Sequence, residues 1–244
     1  MRVHVVRPSA AGRFPGVVFY SEIFQVTDPI RRLAAFVASH GFIVAVPEIF
    51  HEYEPLGAVL AYDAAGTDRG NWCKIHKPLA AYDSDARVMV DYLARHPGCT
   101  GAVGTMGVCI GGHLAFRAAL DPRVLAAVCF YPTDIHKIDS HVRGLGLGMA
   151  DDSLARARGG GIRGELLMVW GRQDPHIPPE GRRQISEALE ESGTCYQWLE
   201  FNAAHAFLRD QGPRYNPVLA RHSLAVAVDV LQRRLAPSGA GFLG

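Results

Sequence analysis

The chain has 244 residues, 48% of them hydrophobic and 20% charged, with a formal net charge of +1. That composition describes a globular protein able to bury a substantial core, and 25 basic against 24 acidic residues leave no footprint for nucleic acid or a membrane surface. No apolar run reaches the roughly 18 residues of a bilayer span, and Met1–Pro8 is too short and too charged for the apolar region of a signal peptide. Five scattered cysteines, Cys73, Cys99, Cys109, Cys129 and Cys195, contain no C-x-x-C pair, which argues against a disulfide framework and a structural zinc site. The expectation is a cytoplasmic, reduced protein, a monomer or small homo-oligomer.

In chain order the strand candidates are Val3–Arg7, Val17–Tyr20, Ile43–Pro47, Ala102–Met106, Ala126–Tyr131, Leu166–Gly171 and Tyr196–Phe201. Several are apolar blocks without alternation, as expected of strands covered on both faces. Helix candidates lie between them at Ile30–His40, Leu79–Arg95, Ile110–Leu120, Glu180–Ser192 and Val218–Leu235. In the second of these, Ala86, Val90 and Leu93 form an apolar stripe while Asp83, Arg87, Asp91 and Arg95 repeat every fourth residue. Strand–helix alternation predicts an α/β fold: a mostly parallel central sheet with helices on both faces, in three layers. No repeat or composition break marks a linker. The chain reads as one domain over residues 1–236, with 237–244 a frayed tail.

Between the fourth strand and the third helix stands Gly107-Val108-Cys109-Ile110-Gly111, which fits G-x-nucleophile-x-G. In that arrangement the nucleophile occupies a sharp strand-to-helix turn, and glycines flank it because the two backbones approach too closely for a Cβ. The helix N-terminus also favours thiolate over thiol at Cys109. The other four cysteines read as ordinary buried thiols. A nucleophile needs a base, and the base an orienting acid. Asp174 follows one later strand in R-Q-D-P-H-I-P, and His205 follows the next in N-A-A-H-A-F. The order Cys109, Asp174, His205 is the one this topology requires. Among eleven histidines, His176 is the nearest competitor, but its adjacency to Asp174 in sequence makes it a poor partner.

Together S-E-I-F (Ser21–Phe24), G-V-C-I-G-G (Gly107–Gly112), G-R-Q-D-P-H-I-P (Gly171–Pro178) and A-H-A-F-L-R (Ala204–Arg209) resemble the dienelactone hydrolase family, a cysteine-nucleophile branch of the α/β-hydrolases. The resemblance implies an α/β-hydrolase fold and cleavage of a small ester or lactone, dienelactone-like and bearing a carboxylate, through an S-acyl-cysteine. It implies Cys109 as nucleophile, His205 as general base and then acid, Asp174 as orienter, and Glu22 against the resting thiol. Backbone N–H groups of Ile23 and Ile110 would form the oxyanion hole, and Arg209 would bind the substrate carboxylate. Val17–Tyr20 independently places Glu22 at the C-terminal sheet edge, where open α/β sheets bind ligands.

Residues 50–78 do not align convincingly with the family's substrate loop. There Arg69 is a candidate for a second carboxylate-binding cation, with Lys74 or Lys77 as alternatives, and Trp72 and Phe24 are candidate pocket walls. The insert 134–163 exceeds what a strand connection needs. His51-Glu52 lacks the second histidine of a zinc-protease helix, Gly104–Gly112 lacks the Lys-Ser/Thr ending of a phosphate loop, and Gly144–Gly148 opens no helix after a strand. The expectation is therefore no cofactor and no metal. Thioester hydrolysis or acyl transfer at the same site, and a non-catalytic metabolite-binding protein on the same fold, are the alternatives.

Overall fold

The structure is a computed structural model that describes residues 1–137, 144–147 and 151–236. The expected tail at 237–244 and parts of the 134–163 insert lie outside the described residues. Among the described residues seven strands form one sheet in the order β1-β3-β2-β4-β5-β6-β7. They are β1 (Val3–Val6), β2 (Phe14–Tyr20), β3 (Ile43–Pro47), β4 (Cys99–Val108), β5 (Val124–Phe130), β6 (Glu165–Gly171) and β7 (Tyr196–Phe201). β1 pairs antiparallel with β3, and every other neighbouring pair is parallel. All seven strand expectations are met, Ile43–Pro47 and Tyr196–Phe201 with the expected bounds and the other five with boundaries shifted by one to three residues.

The helices are α1 (Asp28–Ser39), α2 (Ala64–His76), α3 (Leu79–Arg95), α4 (Ile110–Ala118), α5 (Ser153–Arg158), α6 (Pro179–Glu191) and α7 (Pro217–Leu235). Successive residues of β4 show that both sheet faces are covered. Gly104 faces Leu231 and Leu235 of α7, whereas the Thr105 hydroxyl donates to Ala115 of α4 at 3.0 Å. Gln232 of α7 reaches the carbonyl of His40 at the end of α1, and Arg117 of α4 pairs with Asp83 of α3. α1 and α7 therefore share one face, and α3 and α4 the other. The central strands are buried on both sides, which explains apolar runs without alternation.

Two helices escape the sequence reading. α5 is a short six-residue helix. α2 has no apolar stripe, because one of its faces lines a cavity and two of its glycines serve close packing. A Cβ on Gly70 would sit 2.6 Å from the carbonyl oxygen of Ile23, so glycine lets α2 lie directly on the turn after β2. Asp63 caps α2, accepting from the Gly66 N–H at 2.8 Å. The parallel registers align the strand ends: Tyr20 stands beside Gly107, Val108 beside Phe130, and Gly171 beside Phe201. The segments that follow these strands therefore meet over one sheet edge.

Candidate active site

Cys109 is the N-cap of α4, with φ 61° and ψ −126°. A non-glycine residue in that region stores about 1–3 kcal/mol of strain, which the surroundings must hold. Its neighbours explain how. A Cβ on Gly107 would lie 1.9 Å from the Gly111 oxygen, and one on Gly111 would lie 2.2 Å from the Tyr20 oxygen. With glycine at both positions, β4 and α4 close tightly and lift the Cys109 side chain out of the sheet. The turn is tied to β5 by the Cys109 N–H, which donates to Phe130 at 3.1 Å. Cys109 is half-buried, whereas Cys73, Cys99 and Cys129 are buried and Cys195 is exposed.

His205 and Asp174 arrive from the ends of β7 and β6. The His205 Nδ1–H donates to Asp174 Oδ2 at 2.5 Å, and both residues are buried. The Tyr131 ring packs edge-on beneath the imidazole at 5.0 Å between centroids, and the His176 ring lies 4.7 Å from it. These contacts fix the ring orientation. Burial works against charge on His205, but the Cys109 sulfur beside it, the bond to Asp174 and a hydrogen bond to Cys109 outweigh burial and push its pKa up to about 10. The imidazole is thus in direct communication with the sulfur.

Glu22 lies just beyond β2 and is 3% exposed. Burial is the main influence on its carboxyl and raises its pKa, opposed by Arg209, His205 and Tyr62. The Tyr62 hydroxyl donates to Glu22 Oε2 at 3.2 Å, and Arg209 stands 3.7 Å from the same oxygen. Among the described residues Glu22 makes no hydrogen bond to Cys109. Tyr62 also meets Thr27 Oγ1 at 2.7 Å, and its ring lies 4.2 Å from the Arg209 guanidinium carbon. Phe24 packs edge-on against Tyr62 at 4.7 Å, completing the wall. Arg209 is not paired with the adjacent Asp210, which bonds Arg32 at 2.6 Å.

A cavity of about 280 Å³ joins these groups. It is lined by Cys109, His205, Glu22, Ile23, Phe24 and Arg209 among others. Ile110 is the first residue of α4, where helix N–H groups lack intrahelical acceptors, and Ile23 forms the opposite rim.

Arg69 and Trp72 are corrections to the sequence reading. On α2, Thr67, Asn71 and Lys74 repeat at intervals of four and three and face the cavity. Arg69 and Trp72 fall on another face. Arg69 bonds Glu54 at 2.6 Å and lies over the Trp72 ring, which in turn stacks on His76 at 4.2 Å. Of the two lysine alternatives, Lys74 reaches the cavity, while Lys77 is buried between Asp85 at 2.5 Å and Glu52 at 2.9 Å. Sequence reasoning missed Tyr62, Arg214, Asp134 and Lys137, and it set His176 aside; all five line the cavity. The polar spacing of Thr67, Asn71 and Lys74 was the one available signal.

Among the described residues two groups have metal-ligand proximity: Asp174, His176 and His205, and His51, Glu52 and Asp85. In the first, an Asp174 oxygen is engaged by His205. In the second, the Lys77 ammonium already supplies the positive charge.

Residues 1–235 match the dienelactone hydrolase family. The chain belongs to the dienelactone hydrolase family. It is 42% identical over 244 residues to a Saccharomyces cerevisiae protein provisionally named as a carboxymethylenebutenolidase, covering 96% of this chain and 87% of that one. A carboxymethylenebutenolidase of Pseudomonas sp. strain P51 is 28% identical over 237 residues, covering 94% of this chain and 89% of its own. The crystal structure of a Klebsiella pneumoniae protein, provisionally named as a dienelactone hydrolase, superposes with a TM-score of 0.80 at 22% identity, over 95% of this chain and 92% of that one. The fold is that of the α/β-hydrolases, and family membership makes the chain a hydrolase of ester or lactone bonds.

Proposed function

We propose that the chain cleaves a small, carboxylate-bearing ester or lactone through an S-acyl-cysteine formed on Cys109. The observation that carries this reading is the placement of Cys109, on a strained turn, beside an imidazole that Asp174 holds at 2.5 Å. The Cys109 thiolate attacks the carbonyl carbon, and the carbonyl π electrons move onto oxygen. Backbone N–H groups of Ile23 and Ile110 receive that oxyanion. As the tetrahedral species collapses, the C–O bond breaks and the His205 imidazolium protonates the departing alkoxide. Neutral His205 then takes a proton from water, which attacks the thioester and releases the acid and the Cys109 sulfur. Asp174 keeps Nδ1 protonated throughout, so Nε2 is the atom that exchanges protons.

Arg209, with Arg214 nearby, supplies the cationic wall for a substrate carboxylate, and Phe24 and Tyr62 form its apolar backing. Glu22 holds Arg209 through charge and Tyr62 through its hydrogen bond. The reaction needs no cofactor in this scheme and runs within one domain. Five free cysteines favour a reducing, cytoplasmic setting.

Iodoacetamide labelling followed by peptide mapping tests the nucleophile. Cys109 is expected to be alkylated faster than the other four cysteines, and Cys109→Ala to lose turnover of phenyl acetate and dienelactone. Wild-type turnover in Cys109→Ala overturns the reading.

A further inference from the structure

Among the described residues, Tyr62, Thr67, Asn71 and Thr133 bring hydroxyl or amide side chains to the cavity. Two of them are engaged. The Tyr62 hydroxyl is taken by Thr27 and Glu22, and the Thr67 hydroxyl donates to the Asp63 carbonyl of its own helix at 2.6 Å. The side chains of Asn71, on α2, and Thr133, in the segment after β5, make no hydrogen bond to any described residue. Asn71 is half-buried, and Thr133 is only 6% exposed. Buried polar groups are as a rule hydrogen-bonded, because an unmade bond forfeits what water would have supplied. An amide and a hydroxyl left open on one cavity beside a nucleophile therefore point to a ligand.

The fold brings the two together from opposite sides. α2 rests on the turn after β2 at Gly70 and reaches the segment after β5 four residues later, where the Lys74 ammonium meets Asp134 Oδ2 at 2.6 Å. Asn71 stands between these two contacts, on the helix face that carries Lys74. Thr133 precedes Asp134, and its N–H donates to the Cys109 carbonyl at 3.3 Å, which sets it on the floor beside the nucleophile. β5 adjoins β4 on the side away from β2, so this place is distinct from the wall that Arg209, Phe24 and Tyr62 build around Glu22. An amide and a hydroxyl each donate and accept. A carboxylate would use only their donors and an ammonium only their acceptors. An alcohol hydroxyl needs one of each.

We propose that Asn71 and Thr133 form a hydroxyl-binding subsite, so that the preferred substrate carries an alcohol hydroxyl besides its ester or lactone bond. This rests on the hydrolytic reading above and adds the substrate class. A hydroxyl that enters returns the bonds that cavity water would make, whereas a methyl group in its place displaces that water and returns none.

The test uses two pairs of esters in which a methyl group replaces the hydroxyl: phenyl 3-hydroxypropanoate with phenyl butanoate for the acyl half, and 3-(hydroxymethyl)phenyl acetate with 3-ethylphenyl acetate for the alcohol half. The readout is the ratio of kcat/KM within each pair, which cancels any effect on the steps the two esters share. In the wild-type chain the hydroxylated ester is expected to be favoured about tenfold or more in one of the pairs. Thr133→Val and Asn71→Leu keep the shape and are each expected to bring that ratio close to one, and Thr133→Ser to restore it. Ratios near one in both pairs for the wild type, or a preference that survives both Thr133→Val and Asn71→Leu, overturns the subsite.

If the wild-type chain turns over none of the four esters, the hydrolytic reading fails separately, and binding decides the subsite. Either 3-hydroxypropanoate or 3-(hydroxymethyl)phenol is then expected to protect Cys109 from iodoacetamide at lower concentration than its methyl counterpart, butanoate or 3-ethylphenol, in wild type but not in Thr133→Val. Equal protection within both pairs contradicts the subsite.

Discussion

His205 Nδ1 stands 2.5 Å from Asp174 Oδ2, although the two residues come from loops after different strands. The pair exists because β6 and β7 run parallel with Gly171 beside Phe201, so that the segments beyond them start level. Asp174→Asn keeps the shape but offers an amide where a carboxylate was, so the ring can settle in the wrong tautomer. The kcat for phenyl acetate is expected to fall on the order of 10²–10⁴-fold with little change in KM. A loss under tenfold removes Asp174 as the orienter of His205.

The charge on His205 depends on the sulfur. Its pKa is raised from the ordinary 6.5 to about 10, with burial opposing and Cys109 the largest favourable influence. In Cys109→Ala the raising influence of the sulfur is gone while burial remains, so the pKa falls. Titration of the His205 ring protons by NMR reads this directly. The sign for stability follows from the raised value. Protonated His205 contributes stability that is complete below pH 6.5 and lost as the pH climbs through about 10. Urea midpoints between pH 6.5 and 10 are therefore expected to decline less steeply in Cys109→Ala than in wild type. Identical slopes contradict the coupling.

Tyr62 serves two neighbours at once: its hydroxyl bonds Glu22 and its ring backs Arg209. The substitutions Tyr62→Phe and Tyr62→Leu separate these roles. Phenylalanine keeps the ring, so KM for phenyl hydrogen succinate is expected to rise only about two- to threefold as Glu22, which holds Arg209, loses its donor. Leucine removes both contacts and is expected to raise KM about tenfold. Equal kinetics for the two variants would show that the ring face contributes nothing.

Gly70 is where α2 rests on the turn that carries Ile23, with the Ile23 oxygen 2.6 Å from the position of an added Cβ. Gly70→Ala must push the helix and the turn apart. The expected cost is about 1–3 kcal/mol in urea unfolding, together with a fall in kcat because the Ile23 N–H, the proposed oxyanion donor, is displaced. Unchanged kcat in a destabilised variant would separate that turn from catalysis.

The strands, five of the helices and the order Cys109, Asp174, His205 were legible because each leaves a local trace. Apolar blocks mark buried strands, and a glycine-bracketed cysteine marks a turn whose geometry excludes Cβ atoms. The cavity walls leave no such trace. α2 replaces an apolar stripe with Thr67, Asn71 and Lys74 facing the cavity, and glycines where backbone touches backbone, so it does not read as a helix. Without its phase, Arg69 and Trp72 could not be told from Lys74. Tyr62, Arg214 and Lys137 reach the site only through long-range folding of loops. A helical projection of Ala64–His76 would have put Thr67, Asn71 and Lys74 on one side and Arg69 on another.

The proposed chemistry turns on a covalent bond between acyl carbon and Cys109 sulfur. In the proposed mechanism His205 activates the water of deacylation, so His205→Asn, quenched in acid during reaction with phenyl acetate, is the species for intact-mass and peptide mass spectrometry. One acetyl group is expected, mapped to Cys109 and released by hydroxylamine. Recovery of unmodified Cys109, with the acetyl group on another residue or on none while phenol is released, contradicts a cysteine nucleophile.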